Sequence, residues 1–596
     1  MSEPFEDSRR LTGCNLYFAG PGAALESARG LAFDAAAIER WRDNIAAARA
    51  ALGWPDGAVF VREHASGVSL AFEAPMDQLY AAVEAIEWAW YDALGQRAAA
   101  EAGEGDEAAP PHAATLPREA ALALLAQRAR AEARPALVAL QHAADAHGLP
   151  LLPDDDAASL GTGDGSRTWA IDALPAPGAV DWPSLHAIPA ALVTGSNGKT
   201  TVVRLLAAML RAHGLHVAHS CTEGVYFDNA LIEGGDFSGP GGARTVLRHP
   251  RAQAAVLETA RGGLLRRGLA LCRADAAIVT NISADHYGEY GVHGLDDLAD
   301  AKLVVARAVR GDGLLVLNAD DATLVRRAGG HDGAIGWFAA AFDAPRLAAA
   351  RRVGGATCGV RDGVLVCSDG DGEHALGAVA GMPLSLGGRA HYNVANACAA
   401  TLAARRMGVP AATVAAVLAR FGRDPGDNPG RLQAWAFGDM RVVVDYAHNP
   451  EGLHGLMRAV DAGARAGRLS VVLGHAGNRE DEDLRAVATA VAAYRPDRVV
   501  LKDIHGYERG RAAGEVAAIM RRALHDAGVP EAAIETRLDE VDAALALLRD
   551  AQRGELVVLP LHEVAARQAV VAVLDAMGAR QWRPGDPLPE REGIDA

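Results

Sequence analysis

Lysine is nearly absent from this chain. Its 596 residues hold three, Lys199, Lys302 and Lys502, and every other one of its 58 basic residues is arginine. Aromatic residues make up only 5%. Six cysteines (Cys14, Cys221, Cys272, Cys358, Cys367, Cys398) are scattered without CxxC spacing, which excludes a zinc ribbon and a disulfide framework. There is no block of consecutive basic residues, and the net charge is −17, so neither nucleic acid nor an anionic membrane is expected as a partner. No stretch approaches the roughly 18 uninterrupted apolar residues of a membrane span. The opening MSEPFEDSRR is polar and acidic, unlike a signal peptide. The expected location is the cytoplasm.

What is present is a change of texture along the chain. Residues 1–100 mix alternating runs ("AVFVREHASGVSLAF") with helical ones, predicting a small α+β module. Residues 101–188 read as a Glu/Gly/Pro-rich linker, a helical hairpin over 118–147 and an irregular stretch over 153–188. From 189 short apolar runs alternate with amphipathic helices, the signature of a mostly parallel sheet covered on both faces. "DPGDNPG" interrupts that series, and a second one follows. The predicted class is therefore α/β, with a central domain over 189–427 and a C-terminal α/β domain over 428–596.

The segment "VTGSNGKTT" carries an apolar strand into a glycine-containing turn and out into a helix. Such a turn aims backbone N–H groups and a helix N-terminus at one point, which suits phosphate. Lys199 would reach the terminal phosphates and Thr200 would offer a hydroxyl to magnesium. Arginine is larger and planar, a poor substitute in that cradle, which is a reason for this chain to keep a lysine here. The pattern G-x-x-x-x-G-K-[ST] is not met in full, because Val193 occupies the first glycine position.

Three further polar groups follow predicted strands: Glu258 after "AAVL", Asn281 with Asp285-His286 after "AAIVT", and Asn318 after "LLVL". In an open parallel sheet, ligands bind beyond the carboxyl ends of the strands, so these groups converge on the phosphate loop. Glu258 supplies a hard oxygen ligand, and His286 a donor to a second ion. Lys302 lies on the helix "LDDLADAKLVVARAV". Unlike arginine, it can lose its proton and be covalently modified.

In order along the chain stand "TGSNGKTT", "LETARGG", "TNISADHYGEYG", "AKLVVARAV", "LNADD", "HYNVANACAA", "NPGRLQ" and "DYAHNP". Together they resemble the Mur ligase superfamily over 190–596, and most closely the Mur-ligase half of the cyanophycin synthetases. The resemblance implies a P-loop ATPase domain followed by a Rossmann-like domain. It implies an ATP-dependent carboxylate–amine ligase working through an acyl phosphate, with two magnesium ions. Gly195, Ser196, Asn197, Gly198, Lys199, Thr200 and Thr201 would hold the phosphates. Thr200 and Glu258 would bind one magnesium ion, and His286 the second, with Lys302 carbamylated. Asn281, Asn318, Asn393, Asn396, Arg431 and Asp445 would complete the ATP site, and His448, Asn449, Asn478 and Arg479 would face the substrate. The implied substrates are small amino acids or peptides of Asp/Arg type, with self-association an open matter. Residues 1–189 are too few for the ATP-grasp module of those synthetases, so one ligation is expected where they perform two. The alternatives are a folylpolyglutamate-type or peptidoglycan-type ligase, or a nucleotide-binding scaffold without turnover.

Overall fold

The strand that feeds the phosphate loop, Ala190–Thr194, is apolar at four of its five positions and buried at all five. Burial on both faces demands cover on both faces, and the alternation of a strand divides its residues between them. Ala191 and Val193 point into one hydrophobic cluster, Ala190 and Leu192 into another. A computed structural model describes residues 3–99, 111–284 and 287–589.

In it this strand is the fifth of an eleven-stranded sheet. Seven parallel strands form the middle of that sheet, in the order Val217–Cys221, Ala254–Glu258, Ala190–Thr194, Ala274–Val279, Val309–Asn318, Ile335–Ala341 and Thr357–Arg361. Antiparallel strands extend both edges, a feature that the strand–helix alternation does not announce. Helices Lys199–Ala212 and His391–Arg406 cover one face.

The C-terminal sheet has six strands. Five are parallel (Met440–Asp445, Leu556–Pro560, Leu469–Leu473, Arg498–Leu501, Ile534–Thr536), and Gln433–Phe437 runs antiparallel at one edge. Val443 and its neighbours Val442 and Val444 fill separate cores on its two faces.

The N-terminal unit is a four-stranded antiparallel sheet backed by helices Ala35–Leu52 and Leu79–Ala93. Its core holds Trp41, Trp88 and Trp90, and also Ala121, Leu125 and Ala129 from helix Arg118–Glu132. That helix therefore belongs to the N-terminal core and not to a free-standing hairpin with Pro135–His147. The stretch expected to be irregular contains most of a three-stranded sheet, Leu151–Pro153, Ala157–Leu160 and Arg167–Ala170. Its strands are three or four residues long, too short for alternation to be read from the sequence. Among the described residues no helix is long and apolar enough to cross a membrane. The acidic part of the expected linker, 101–110, lies outside the described residues.

Candidate active site

Gly195 (φ +139°) and Gly198 (φ +88°) bend the phosphate loop through backbone angles that side-chain-bearing residues rarely adopt. The space is closed as well. A Cβ on Gly195 would lie 1.8 Å from Thr280 Oγ1, and one on Gly198 would lie 2.2 Å from Asn396 Oδ1. The loop is pinned from the neighbouring strand end. The Asn197 amide donates to Asn281 Oδ1 (2.9 Å), while Asn281 Nδ2 and Thr280 Oγ1 both donate to the Asn197 carbonyl (3.1 and 2.6 Å). Ser196 Oγ donates to the Ser283 carbonyl and accepts from the Ser283 amide, each at 3.0 Å.

Lys199 folds over this loop and donates to the Gly195 and Ser196 carbonyls (3.1 and 3.2 Å). Lys302 reaches the same turn from its own helix: its ammonium donates to the Gly195 carbonyl at 2.9 Å, and the residue is 3% exposed. Two of the three lysines thus meet at one carbonyl. His286 lies outside the described residues.

Beside the loop, the Thr200 hydroxyl donates to Glu258 Oε2 at 2.8 Å, and Thr222 Oγ1 stands 2.9 Å from Thr200 Oγ1 and 3.4 Å from Glu258 Oε1. These oxygens come from a helix N-terminus and the ends of two adjacent strands. Burial pushes the Glu258 carboxyl above its ordinary range, against the pull of the Lys199 ammonium and the Thr200 hydroxyl. A buried carboxylate with two hydroxyls is a hard-oxygen donor set that fits magnesium. Among the described residues, no group of three or more His, Cys, Asp or Glu could hold an ion by itself. A cation here would take its other ligands from phosphate and water, which is magnesium's habit.

Asn393 and Asn396 are buried along one helix, Asn396 Nδ2 donating to Asn393 Oδ1 (3.1 Å) and Asn393 Nδ2 to the Leu384 carbonyl (3.0 Å). Asn318 Nδ2 donates to the Thr280 carbonyl (3.2 Å). Arg431 stands with the phosphate loop: its guanidinium lies 3.5 Å from Thr200 Oγ1, 3.6 Å from Glu223 and 4.2 Å above the Tyr446 ring. Asp445, pushed up by burial, accepts from the Leu432 and Ala447 amides (2.7 and 2.8 Å) and so shapes the turn that presents His448 and Asn449. Asn449 Nδ2 donates to Asn197 Oδ1 at 3.0 Å, joining the C-terminal domain to the phosphate loop. Asn478 lies 3.5 Å from Glu289, which also holds Arg261. The Arg479 side chain is buried, and its carbonyl accepts from Arg511 (2.8 Å).

Sequence reasoning passed over several residues here. Thr222 and Glu223 follow the strand Val217–Cys221, where the strand-end rule that picks out Glu258 applies equally. Glu223 gathers Arg204 (3.0 Å), Arg567 (2.8 Å) and Arg431 from two domains. Asn428 (5% exposed) and Tyr446 sit inside quoted motifs, and Asn428 Nδ2 donates to Thr201 Oγ1 at 3.2 Å.

Comparison with known families places this arrangement. The Mur ligase middle domain matches residues 193–404, and the Mur ligase glutamate ligase domain matches 430–560. A UDP-N-acetylmuramoyl-L-alanyl-D-glutamate–2,6-diaminopimelate ligase from Ralstonia nicotianae is 30% identical over 373 residues, 60% of this chain and 68% of that protein. The chain belongs to the Mur ligase family. A cyanophycin synthetase from Trichormus variabilis is 36% identical to this Mur ligase over 375 residues, 62% of this chain. The match spans only 41% of that synthetase. Among solved structures, a Mycobacterium tuberculosis folylpolyglutamate synthase complexed with ADP covers 65% of this Mur ligase and 90% of its own chain, at 18% identity and a TM-score of 0.48.

Proposed function

We propose that this Mur ligase is an ATP-dependent carboxylate–amine ligase acting on an amino acid or short peptide of the Asp/Arg type. The observation that carries the reading is the convergence of Lys199, Thr200 and Glu258 at one strand-end crevice, with Asn449 of the C-terminal domain closing on the same loop. A substrate carboxylate attacks the γ-phosphorus of ATP, giving an acyl phosphate and ADP. An amine then attacks the acyl carbon, inorganic phosphate leaves, and an amide remains. Lys199 neutralises charge on the transferring phosphoryl group, and the loop amides hold it in line. Thr200 and Glu258 would hold one magnesium ion, and His286 with a carbamylated Lys302 a second; the ions would screen the β- and γ-phosphates. Asn318, Asn393 and Asn396 would approach the adenosine, with Arg431 at the phosphate end.

Arg261 opens the helix that follows strand Ala254–Glu258, is 6% exposed and pairs through Nη2 with Glu289, while its Nη1 has no hydrogen-bond partner among the described residues. Three residues beyond Glu258, this guanidinium would be the group to receive a substrate carboxylate. His448, Asn449, Asn478 and Arg479 would face the amine side. Closure of the C-terminal domain would exclude the water that otherwise hydrolyses an acyl phosphate.

The test is ADP and phosphate release from Mg·ATP with a panel of amino acids and Asp/Arg peptides. Amine-dependent ADP release is expected, abolished by Lys199→Ala. A loss smaller than about tenfold, roughly 1.4 kcal/mol, would remove Lys199 from the proposed role. Release that no acid or amine stimulates would favour a scaffold.

A further inference from the structure

The N-terminal domain meets the central domain at several places, among them the segment around Leu265–Leu269 and the loop before helix Leu295–Leu303. Residues Tyr287–Gly294 lead into helix Leu295–Leu303, and four N-terminal side chains seize this stretch. Arg29 Nη2 donates to the Gly288 carbonyl at 2.9 Å. Arg62 Nη2 donates to the Gly291 carbonyl at 3.0 Å and pairs with Asp297 in the first turn of the helix. Ser66 Oγ lies 2.8 Å from His293 Nε2. The Arg9 guanidinium lies 4.6 Å over the Tyr290 ring, while its Nε donates to the Leu265 carbonyl at 2.7 Å. Tyr290 has φ +54°, a conformation that persists only when its surroundings impose it.

The helix so gripped carries Lys302. Asp297 also accepts from the His293 and Gly294 amides (3.0 and 3.1 Å), so the carboxylate that receives Arg62 is the one that sets the start of the helix. Five residues on, Lys302 donates to the Gly195 carbonyl. A continuous path therefore runs from Arg62 through Asp297 and the helix to the phosphate loop. The Arg29–Glu480 pair that extends from this junction to the C-terminal domain is more than half exposed on both sides and adds little. The Arg62 guanidinium, by contrast, is largely covered.

We propose that the N-terminal domain is a working part of the nucleotide site, and that Arg62 is a positioning residue which fixes helix Leu295–Leu303, and Lys302 with it, against the phosphate loop. Its kinetic consequence rests on the ligase reading; its structural consequence does not. Misplacing a phosphoryl-site group by about an ångström is enough to cost on the order of a hundredfold in rate. The loss falls on turnover more than on nucleotide affinity, because the loop amides and Lys199 are untouched.

Two measurements on the full chain decide it. Hydrogen exchange of Arg62→Met is expected to rise at least about tenfold in 295–303 and to stay unchanged in the C-terminal strand 440–445. ADP release from Mg·ATP with Asp/Arg peptides is expected to lose at least about tenfold in kcat, with KM for ATP within about threefold and part of the loss recovered by Arg62→Lys. Unchanged exchange in 295–303, or an equal rise throughout the chain, overturns the proposal. So does full turnover by Arg62→Met. If wild-type protein fails to bind Mg·ADP in a calorimetric titration, the ligase reading falls alone, and the exchange result still decides the clamp.

Discussion

Asn449 of the C-terminal domain donates its side-chain amide to Asn197 of the phosphate loop across 3.0 Å. The same residue caps helix Pro450–Ala459, its Oδ1 accepting from the Gly452 amide at 2.8 Å. Asn449→Asp keeps the cap and removes the donor. Turnover of Mg·ATP is expected to fall about fivefold, the worth of one hydrogen bond near 1 kcal/mol, with the melting temperature unchanged. Asn449→Ala loses the cap too and should cost about 1 kcal/mol of stability besides, read by thermal melting.

Gly198→Ala forces a Cβ to within 2.2 Å of Asn396 at a φ of +88°. The loop has to move, and its amides no longer point at one spot. Calorimetric titration with Mg·ADP is expected to lose at least about tenfold in affinity, about 1.4 kcal/mol. The double variant Gly198→Ala/Asn396→Ala removes the clash but not the backbone penalty, and is expected to recover only part.

The third lysine has a different reason to exist. Lys502, fully buried, pairs with Glu540 at 2.5 Å and lies 2.9 Å from His562 Nδ1. An ammonium only donates, so His562 Nδ1 accepts and its Nε2 carries the proton toward the Ala447 carbonyl, 3.4 Å away. Lys502→Met leaves the Glu540 carboxylate buried without its cation, and should cost about 3–5 kcal/mol in denaturant unfolding. Lys502→Met/Glu540→Gln should recover most of that; a double variant as unstable as the single one would mean that packing and not charge carries the effect.

The same cluster implies an acid sensitivity. Burial, with Lys502 beside it, pushes the His562 imidazole well below its ordinary value of 6.5. In the folded chain it stays neutral where the unfolded chain takes up a proton. Stability from this group is therefore full above pH 6.5 and is lost as pH falls below it, by up to about 1.4 kcal/mol per pH unit. His562→Gln should show a flatter dependence than wild type between pH 6.5 and 5 in denaturant titrations. Parallel curves would exclude His562 as the source.

The phosphate loop was legible because everything that defines it is local: an apolar strand, two glycines, a lysine and a helix within a dozen residues. Glu258, Asn281 and Asn318 were legible by one more rule, that polar groups after parallel strands share a crevice. Thr222 and Glu223 obey the same rule and were missed, because their strand "VAHSC" is broken by polar residues that the sheet buries. Lys502 stood alone in the sequence. Its partners Glu540 and His562 are 38 and 60 residues away, brought to it by the parallel order of three strands.

Taken alone, the sequence determined that parallel strands alternating with helices build the middle of the central sheet and most of the C-terminal one, and that a glycine-bent turn carries one such strand into the helix headed by Lys199, since propensity, alternation and turn chemistry act over a few neighbouring residues. Only the tertiary structure decided that Lys199 and Lys302 share the Gly195 carbonyl, that Arg431 stands beside Thr200 and Glu223, and that Arg62 from the first hundred residues pairs with Asp297 on the helix that carries Lys302. Those relations join residues tens to hundreds of positions apart. They come into being when sheets and domains pack, because burial leaves each polar group only the partners that the packing supplies.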